Sequence, residues 1–168
     1  SLLTFNEVTT FFHEFGHALH TILGAQDYTA QSGTNVKRDF VEAPSQFLEN
    51  WLEDKAILKQ LGKHYKTGES MPDDLIDNKL LLRTFTSGMF VARQIYLGMF
   101  SLAVYGPGQK KDFDTLMQRY YELTSPDIMY PSDNHLYCNF GHITNYGPKY
   151  YGYLWTDILG TDIFEEVE

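Results

Sequence analysis

Cysteine is almost absent from this sequence of 168 residues. Cys138 is the only one, so no disulfide can form within the chain. A chain without disulfides suits a reducing compartment, and we therefore expect a cytoplasmic protein. No signature of a catalytic cysteine surrounds Cys138, and we interpret it as a small core or loop residue.

Basic residues are also scarce. The chain has 13 Lys and Arg against 22 Asp and Glu, which gives a formal net charge of −9 and a pI of about 5.0. Nucleic acids and anionic membrane surfaces are recognised by basic patches. The charge balance therefore predicts that neither nucleic acid nor a membrane is a partner.

Long hydrophobic runs are missing too. The most apolar segment, residues 95–104, is too short to span a bilayer. No basic stretch followed by an apolar run precedes Phe11, as a signal peptide would require. The chain opens on a helical pattern and ends on one, at residues 165–168, without a terminating residue. We therefore expect a piece of a longer protein, for which absent targeting signals exclude little.

Aromatic residues, in contrast, are abundant, with 12 Phe and 12 Tyr available to bury a large core. The first helix is predicted over residues 4–23. Thr4 and Glu7 have the capping-box spacing, and Gly24 can cap the other end. Between them, apolar residues recur in steps of 3 and 4, at Val8, Phe12, Phe15, Leu19 and Ile22. This spacing indicates a helix with one buried face.

The rest of the chain is also mostly helical in pattern. We predict a short strand at residues 36–40 and a loop over residues 124–138. Further helices are predicted from Glu42 to about Leu61, from Pro72 to Tyr105 with a break near Ser87-Gly88, from Asp112 to Glu122, and from Tyr146 to the C-terminus. There is no internal repeat. The predicted fold class is mostly α, with at most a short strand.

The first helix carries the pattern His-Glu-x-x-His at residues 13–17. Side chains at positions i and i+4 share one helix face, so the His13 and His17 imidazoles can converge on one zinc ion. Glu14 points to the flank of that face, where it can act as a general base without ligating the metal. The pattern predicts a metallopeptidase site.

A catalytic zinc site needs a third protein ligand and an open position. His20 lies on the same helix, but one rigid helix rarely supplies three ligands to one metal. His64 and His135 lie in unrelated polar contexts. Glu42 opens the next predicted helix, and a helical hairpin would place it opposite the two imidazoles. We therefore favour Glu42, which completes a His₂Glu set around one zinc ion per chain.

Three segments, residues 13–20, 32–51 and 140–155, resemble the thimet oligopeptidase family of zinc peptidases, family M3. The second segment carries the family's glutamate ligand at the position of Glu42. The resemblance spans nearly the whole chain. It implies that residues 1–168 are a zincin-like, multi-helix catalytic core, part of a larger two-lobed protein with a deep channel. It also implies two partners, namely short peptide substrates and the rest of the parent chain.

The resemblance further implies roles near the C-terminal end. His142 and Tyr153 would stabilise the oxyanion that develops on the scissile carbonyl, while Tyr146 and Tyr150 would hold the substrate backbone. Spacing alone would instead assign the tyrosines around Tyr150 to the core face of a helix. The implied activity is endopeptidase cleavage of short peptides. Release of dipeptides from the carboxyl end, or a non-catalytic zinc-binding helical module, are the alternatives.

Overall fold

The computed structural model describes residues 2–167, and 69% of the chain is helical, which confirms the mostly α class. Among the described residues, β pairing is limited to one isolated bridge, between Lys63 and Ser70. The α-helices are α1 (Phe5–Leu23), α2 (Arg38–Val41), α3 (Ala43–Glu49), α4 (Lys55–Leu61), α5 (Asp73–Tyr105), α6 (Phe113–Thr124), α7 (His142–Asn145) and α8 (Gly152–Glu165). Short 3₁₀ helices cover Thr29–Gln31, Asn50–Glu53, Leu136–Asn139 and Lys149–Tyr151.

The chain forms two compact units. Unit 1 comprises Ser1–Thr86 and Thr156–Glu168, and unit 2 comprises Ser87–Trp155. The 33-residue helix α5 and the helix α8 each pass from one unit into the other. The two units are described separately below.

Local interactions define α1 almost as predicted. The Thr4 backbone N–H donates to the Glu7 carboxylate at 2.7 Å, and the Glu7 N–H donates to the Thr4 hydroxyl at 3.4 Å, which completes the capping box. The Gly24 N–H donates to the His20 carbonyl at the other end, at 3.0 Å. The predicted apolar face is only partly correct, because Phe15 and Ile22 are exposed.

The predicted strand at residues 36–40 is wrong. The chain forms the short helix α2 there, and the Arg38 guanidinium contacts the Glu42 carboxylate one turn later, at 3.1 Å. The single helix predicted from Glu42 to Leu61 is also wrong, because a new helix begins inside it. The Asp54 carboxylate accepts the N–H of Ile57 at 2.7 Å, which caps the start of α4.

Two further boundaries differ from the predictions. No break occurs near Ser87-Gly88, since α5 is assigned as one helix from Asp73 to Tyr105. The last helix begins later than Tyr146, because Gly147 adopts a left-handed φ of 67° and interrupts the helical path. In contrast, α6 begins where predicted, with the Asp112 carboxylate accepting the Thr115 N–H at 3.1 Å.

Helix α5 is long and apolar enough to cross a membrane by length and composition alone, and 28% of its most apolar stretch is buried. These criteria are weak evidence, because core helices of soluble proteins also meet them. The absence of a membrane partner therefore stays a prediction from charge.

In unit 1, α1 approaches α3 through a glycine. Gly16 is the buried residue of α1, and a Cβ atom there would lie 2.5 Å from the Ser45 Cα and 2.9 Å from the Pro44 carbonyl oxygen. Only a residue without a side chain permits this backbone approach. Elsewhere in unit 1, Leu52, Leu58 and Ile76 are buried, and Trp51 and Phe47 pack edge-on against Phe164.

We expect Gly16→Ala to lower the free energy of unfolding by about 1–3 kcal/mol, because backbone atoms must move to accept the methyl group. The gain in helix propensity, about 1 kcal/mol, opposes this loss but is smaller. Gly88→Ala is the matched control, since nothing lies within 4 Å of a Cβ atom there. It should stabilise α5 by about 0.5–1 kcal/mol. Urea unfolding of both variants tests this, and equal stabilisation by both would contradict it.

Unit 2 has its own aromatic core. Tyr96, Leu97, Phe100, Met117 and Ile143 are buried together, and the rings of neighbouring Phe and Tyr residues surround them. The Tyr105 hydroxyl, at the end of α5, donates a hydrogen bond to the Ile143 carbonyl. This contact ties the short helix α7 to the end of α5.

Candidate metal centre

Helix α1 places two imidazoles side by side. His13 and His17 are one turn apart, and their Nε2 atoms are 3.2 Å from each other, with the rings edge-to-face at a centroid distance of 4.8 Å. Both side chains are about one quarter exposed. Two ring nitrogens, one from each side chain, therefore lie close together on α1.

A buried carboxylate lies opposite these rings. Glu42 sits between α2 and α3 and is only 5% exposed. Its Oε2 atom is 3.3 Å from the His13 Nε2 atom and 3.0 Å from the His17 Nε2 atom. The structure thus brings together the three residues that the sequence analysis selected, and their ligand atoms all lie within 4.8 Å of one another.

These distances fit a tetrahedral metal ion. Zinc bonds nitrogen and oxygen ligands at about 2.0–2.2 Å, so two of its ligands in a tetrahedron lie roughly 3.3–3.6 Å apart. The three measured separations are 3.0, 3.2 and 3.3 Å. A small shift of the side chains would be enough to accept the ion, and the three groups can therefore hold a metal.

Neighbouring groups fix the Glu42 carboxylate in its charged form. The Arg38 guanidinium contacts Oε1 at 3.1 Å, and the Ser45 hydroxyl, which donates to the Glu42 backbone carbonyl at 2.8 Å, lies 3.4 Å from Oε2. Burial alone would raise the pKa of Glu42, but the hydrogen bond to His13 and the charges of His17 and Arg38 outweigh it and lower the pKa. A deprotonated carboxylate is the form that binds a metal.

Glu49 is a site residue that the sequence analysis missed. Its Oε1 atom accepts a hydrogen bond from the His13 Nδ1 atom at 2.6 Å. This contact holds the Nδ1 proton, so Nε2 is the nitrogen that can bind a metal once it loses its own proton, which is the usual arrangement behind a ligating histidine. Its spacing of seven residues from Glu42, about two helical turns, does not by itself distinguish it from an ordinary helix carboxylate.

The two carboxylates also change the acidity of the histidine between them. The hydrogen bond to Glu42, followed by that to Glu49, raises the pKa of His13 to about 10, against the opposing effect of burial. At neutral pH this imidazole therefore holds two protons. A metal ion must displace the proton on Nε2, so metal binding should release a proton and strengthen as the pH rises.

The other candidates lie outside this cluster. Glu14 is exposed on α1 and is next in sequence to His13. His20 packs edge-on against Phe40, with a centroid distance of 6.1 Å. His64 is paired with the Thr67 hydroxyl at 3.0 Å. Neither of these two histidines joins the group of three ligand atoms.

Unit 2 brings the other predicted site residues together. The His142 ring lies 5.1, 4.9 and 5.8 Å from the rings of Tyr146, Tyr150 and Tyr153, measured between centroids. Tyr150 and Tyr153 also pack on each other at 5.2 Å. Burial raises the pKa of Tyr150, while Arg93 and Gln94 oppose that rise. The hydroxyl therefore stays protonated and can donate at neutral pH.

Two helix-borne imidazoles with one buried carboxylate form a His₂Glu set, which is the ligand type of mononuclear zinc hydrolases such as thermolysin. Comparison with known proteins defines the family. The chain belongs to peptidase family M3, whose model matches residues 1–168.

Three relatives illustrate the similarity. Organellar oligopeptidase A of Arabidopsis thaliana, chloroplastic or mitochondrial, is 40% identical over 174 residues, which cover all of this chain and 22% of the relative. Probable cytosolic oligopeptidase A of the same plant is 38% identical and covers 100% of this chain and 25% of the relative. Mitochondrial intermediate peptidase of Botryotinia fuckeliana is 35% identical over 99% of this chain and 22% of its own length.

The chain spans about a quarter of the length of these curated relatives. Their names include both organellar and cytosolic proteins. Similarity alone therefore does not select a compartment, and the cytoplasmic location stays a prediction.

Proposed function

We propose that this chain carries the zinc site of a metallopeptidase that hydrolyses short peptides. The observation that carries this proposal is the convergence of the His13, His17 and Glu42 ligand atoms, with the exposed Glu14 adjacent in sequence to His13. One zinc ion per chain fits the three ligand atoms. The names of the relatives, oligopeptidase and intermediate peptidase, support peptides as the substrate class.

The proposed chemistry divides between the ion and the chain. Zinc bound by these three groups supplies a Lewis acid that makes water a nucleophile near neutral pH. The Glu14 carboxylate accepts the proton of the attacking water and later delivers it to the leaving amine. Glu49 keeps the His13 ring oriented through its Nδ1 atom, and Arg38 keeps the Glu42 carboxylate charged.

In the same proposal, the aromatic cluster of unit 2 binds and polarises the substrate. His142 and Tyr153 donate hydrogen bonds to the oxygen of the scissile carbonyl as its negative charge develops. Tyr146 and Tyr150 hold the peptide backbone. The packing of the four side chains into one cluster supports a shared role, and so does the resemblance of this segment to family M3.

The proposed substrate site also includes the rest of the parent chain. The predicted core at residues 1–168 is about a quarter of the relatives' length, and apolar side chains such as Phe11 and Phe85 are 60% and 84% exposed in it. Exposed apolar surface of this kind usually contacts a partner. We propose that other parts of the parent protein cover this surface and complete the channel.

The test is metal removal from the full-length protein. Treatment with a zinc chelator should reduce cleavage of a short fluorogenic peptide at least about 10²-fold, because the metal contributes several kcal/mol to transition-state stabilisation. Adding back one equivalent of zinc should restore cleavage. The chelator dissolved with excess zinc is the control. Undiminished cleavage by protein that retains less than a tenth of an equivalent of metal would refute the proposal.

A further inference from the structure

Unit 2 contains a cavity that none of the residues proposed for hydrolysis lines. Its volume is about 460 Å³, which lies in the range typical of small-molecule sites. One wall is a continuous stripe of α5, from Gly88 to Tyr96. The opposite wall is the last turn of α6 together with the chain that follows it, up to Leu136.

The inner surface of this cavity is aromatic and apolar. Tyr96 is 5% exposed, and its ring meets the Tyr121 ring edge-on at 5.6 Å. The Tyr96 hydroxyl is already engaged with the Met117 sulfur at 2.8 Å. At the rim, Met89 and Ile128 are 67% and 47% exposed. This surface suits an apolar or aromatic side chain of a ligand.

Two opposite charges also line the cavity. Arg93 extends from α5, and Asp127 lies in the turn after α6. Arg93 is hydrogen-bonded to the Tyr150 side chain, but within residues 2–167 neither Arg93 nor Asp127 forms an ion pair with another charged side chain. Asp127 is near the C-terminal end of α6, where the helix dipole also favours a positive charge. The site therefore offers one position for an anion and another for a cation.

We propose that this cavity binds a zwitterionic amino acid or short peptide with an apolar side chain. The side chain packs on Tyr96 and Tyr121, the carboxylate binds the Arg93 guanidinium, and the ammonium group lies on the Asp127 side. A purely apolar ligand would leave both charges without a counter-ion, and a simple anion would be repelled by Asp127. Only a ligand with both charges complements all three features.

Binding to metal-free, full-length protein tests this inference separately from the proposed hydrolysis. Without metal, a ligand carboxylate cannot coordinate zinc, and a dipeptide cannot be cleaved by the proposed mechanism. Calorimetric titration should show saturable binding of L-phenylalanine or of glycyl-L-phenylalanine. N-acetyl-L-phenylalanine and L-phenylalaninamide, which each lack one charge, should bind about 10-fold more weakly or worse. Which of the two zwitterions binds identifies a free amino acid or a peptide as the ligand.

Variants of the residues that line the cavity show whether the ligand binds there. Arg93→Gln and Asp127→Asn should each weaken binding about 10-fold or more, while Arg119→Gln and Asp133→Asn, matched changes of exposed residues in unit 2, should not change it. Gly88→Phe should abolish binding, because the space beside Gly88 is open and the ring would fill the cavity. Arg93 and Asp127 are both exposed, so their variants should fold even if the Gly88 variant does not. No saturable binding, equal binding of the capped ligands, or unchanged binding by the Arg93 and Asp127 variants would overturn the inference.

Discussion

Glu14→Gln should reduce peptide hydrolysis by about 10²–10⁴-fold while the protein keeps its full complement of zinc. The amide has nearly the shape of the carboxylate but cannot accept the proton of the attacking water. Glu14 is exposed and does not belong to the group of three residues whose ligand atoms converge. Neither the fold nor the metal affinity should therefore change in the variant. The turnover number should fall much more than the Michaelis constant changes, because the interaction is made in the transition state.

Glu166→Gln is the matched control for this variant. It makes the same chemical change at an exposed position of unit 1, and it should leave the turnover number unaltered. Zinc content by elemental analysis and turnover of a fluorogenic peptide, both in the full-length protein, are the measurements. If Glu14→Gln kept its turnover within a few-fold of the unaltered protein, a different group would have to be the base. If neither the unaltered protein nor Glu14→Gln cleaved any peptide while zinc stayed bound, the result would support the non-catalytic alternative.

The parts of the molecule that could be predicted from the sequence are those fixed by local interactions. Helix α1 begins with a capping box and ends at Gly24, and both signals lie within a few residues of the helix they bound. The neighbourhood of His13 and His17 follows from the helical repeat alone. The mostly α class is similarly a sum of local patterns.

Interactions across the fold explain most of the errors. The pattern of α1 predicted that Phe15 would be buried, yet it is 49% exposed, because α1 approaches α3 through Gly16 instead. The length of the helix predicted from Glu42 to Leu61 was equally hard to judge. The apolar repeat continues past Asp54 and predicts one helix, whereas the Asp54 carboxylate caps a new helix there.

Glu49 shows a different limit of the sequence. A carboxylate at this position reads as an ordinary helix residue until the fold brings it within 2.6 Å of the His13 Nδ1 atom. The side chain that completes a ligand's surroundings is chosen by packing between helices, here by the close contact of α1 with α3. The proximity of the two imidazoles could therefore be predicted from spacing, whereas the carboxylate behind His13 could not.

The second large effect is expected for Glu42→Ala, which should weaken zinc binding by about 10²-fold or more. Structural zinc sites with four ligands gain about 10–16 kcal/mol on binding, or roughly 3 kcal/mol for each ligand. Glu42→Ala should lose at least this much zinc-binding free energy, because Glu42 is the only anionic member of the three-ligand group. Zinc titration of metal-free protein, with zinc content after dialysis as a second readout, measures it without any assay of activity.

Glu49→Gln gives a graded comparison for the same titration. It removes a charged acceptor from the His13 ring but leaves all three ligand atoms in place, so zinc affinity should fall by about 10–100-fold. Glu166→Gln should have no effect. The order of affinities, unaltered protein above Glu49→Gln above Glu42→Ala, separates a ligand from a residue that orients one. Full zinc occupancy of the Glu42 variant at the affinity of the unaltered protein would remove Glu42 from the ligand set. If Glu49→Gln lowered the zinc affinity as much as Glu42→Ala or more, Glu49 would instead be a residue that binds the metal itself.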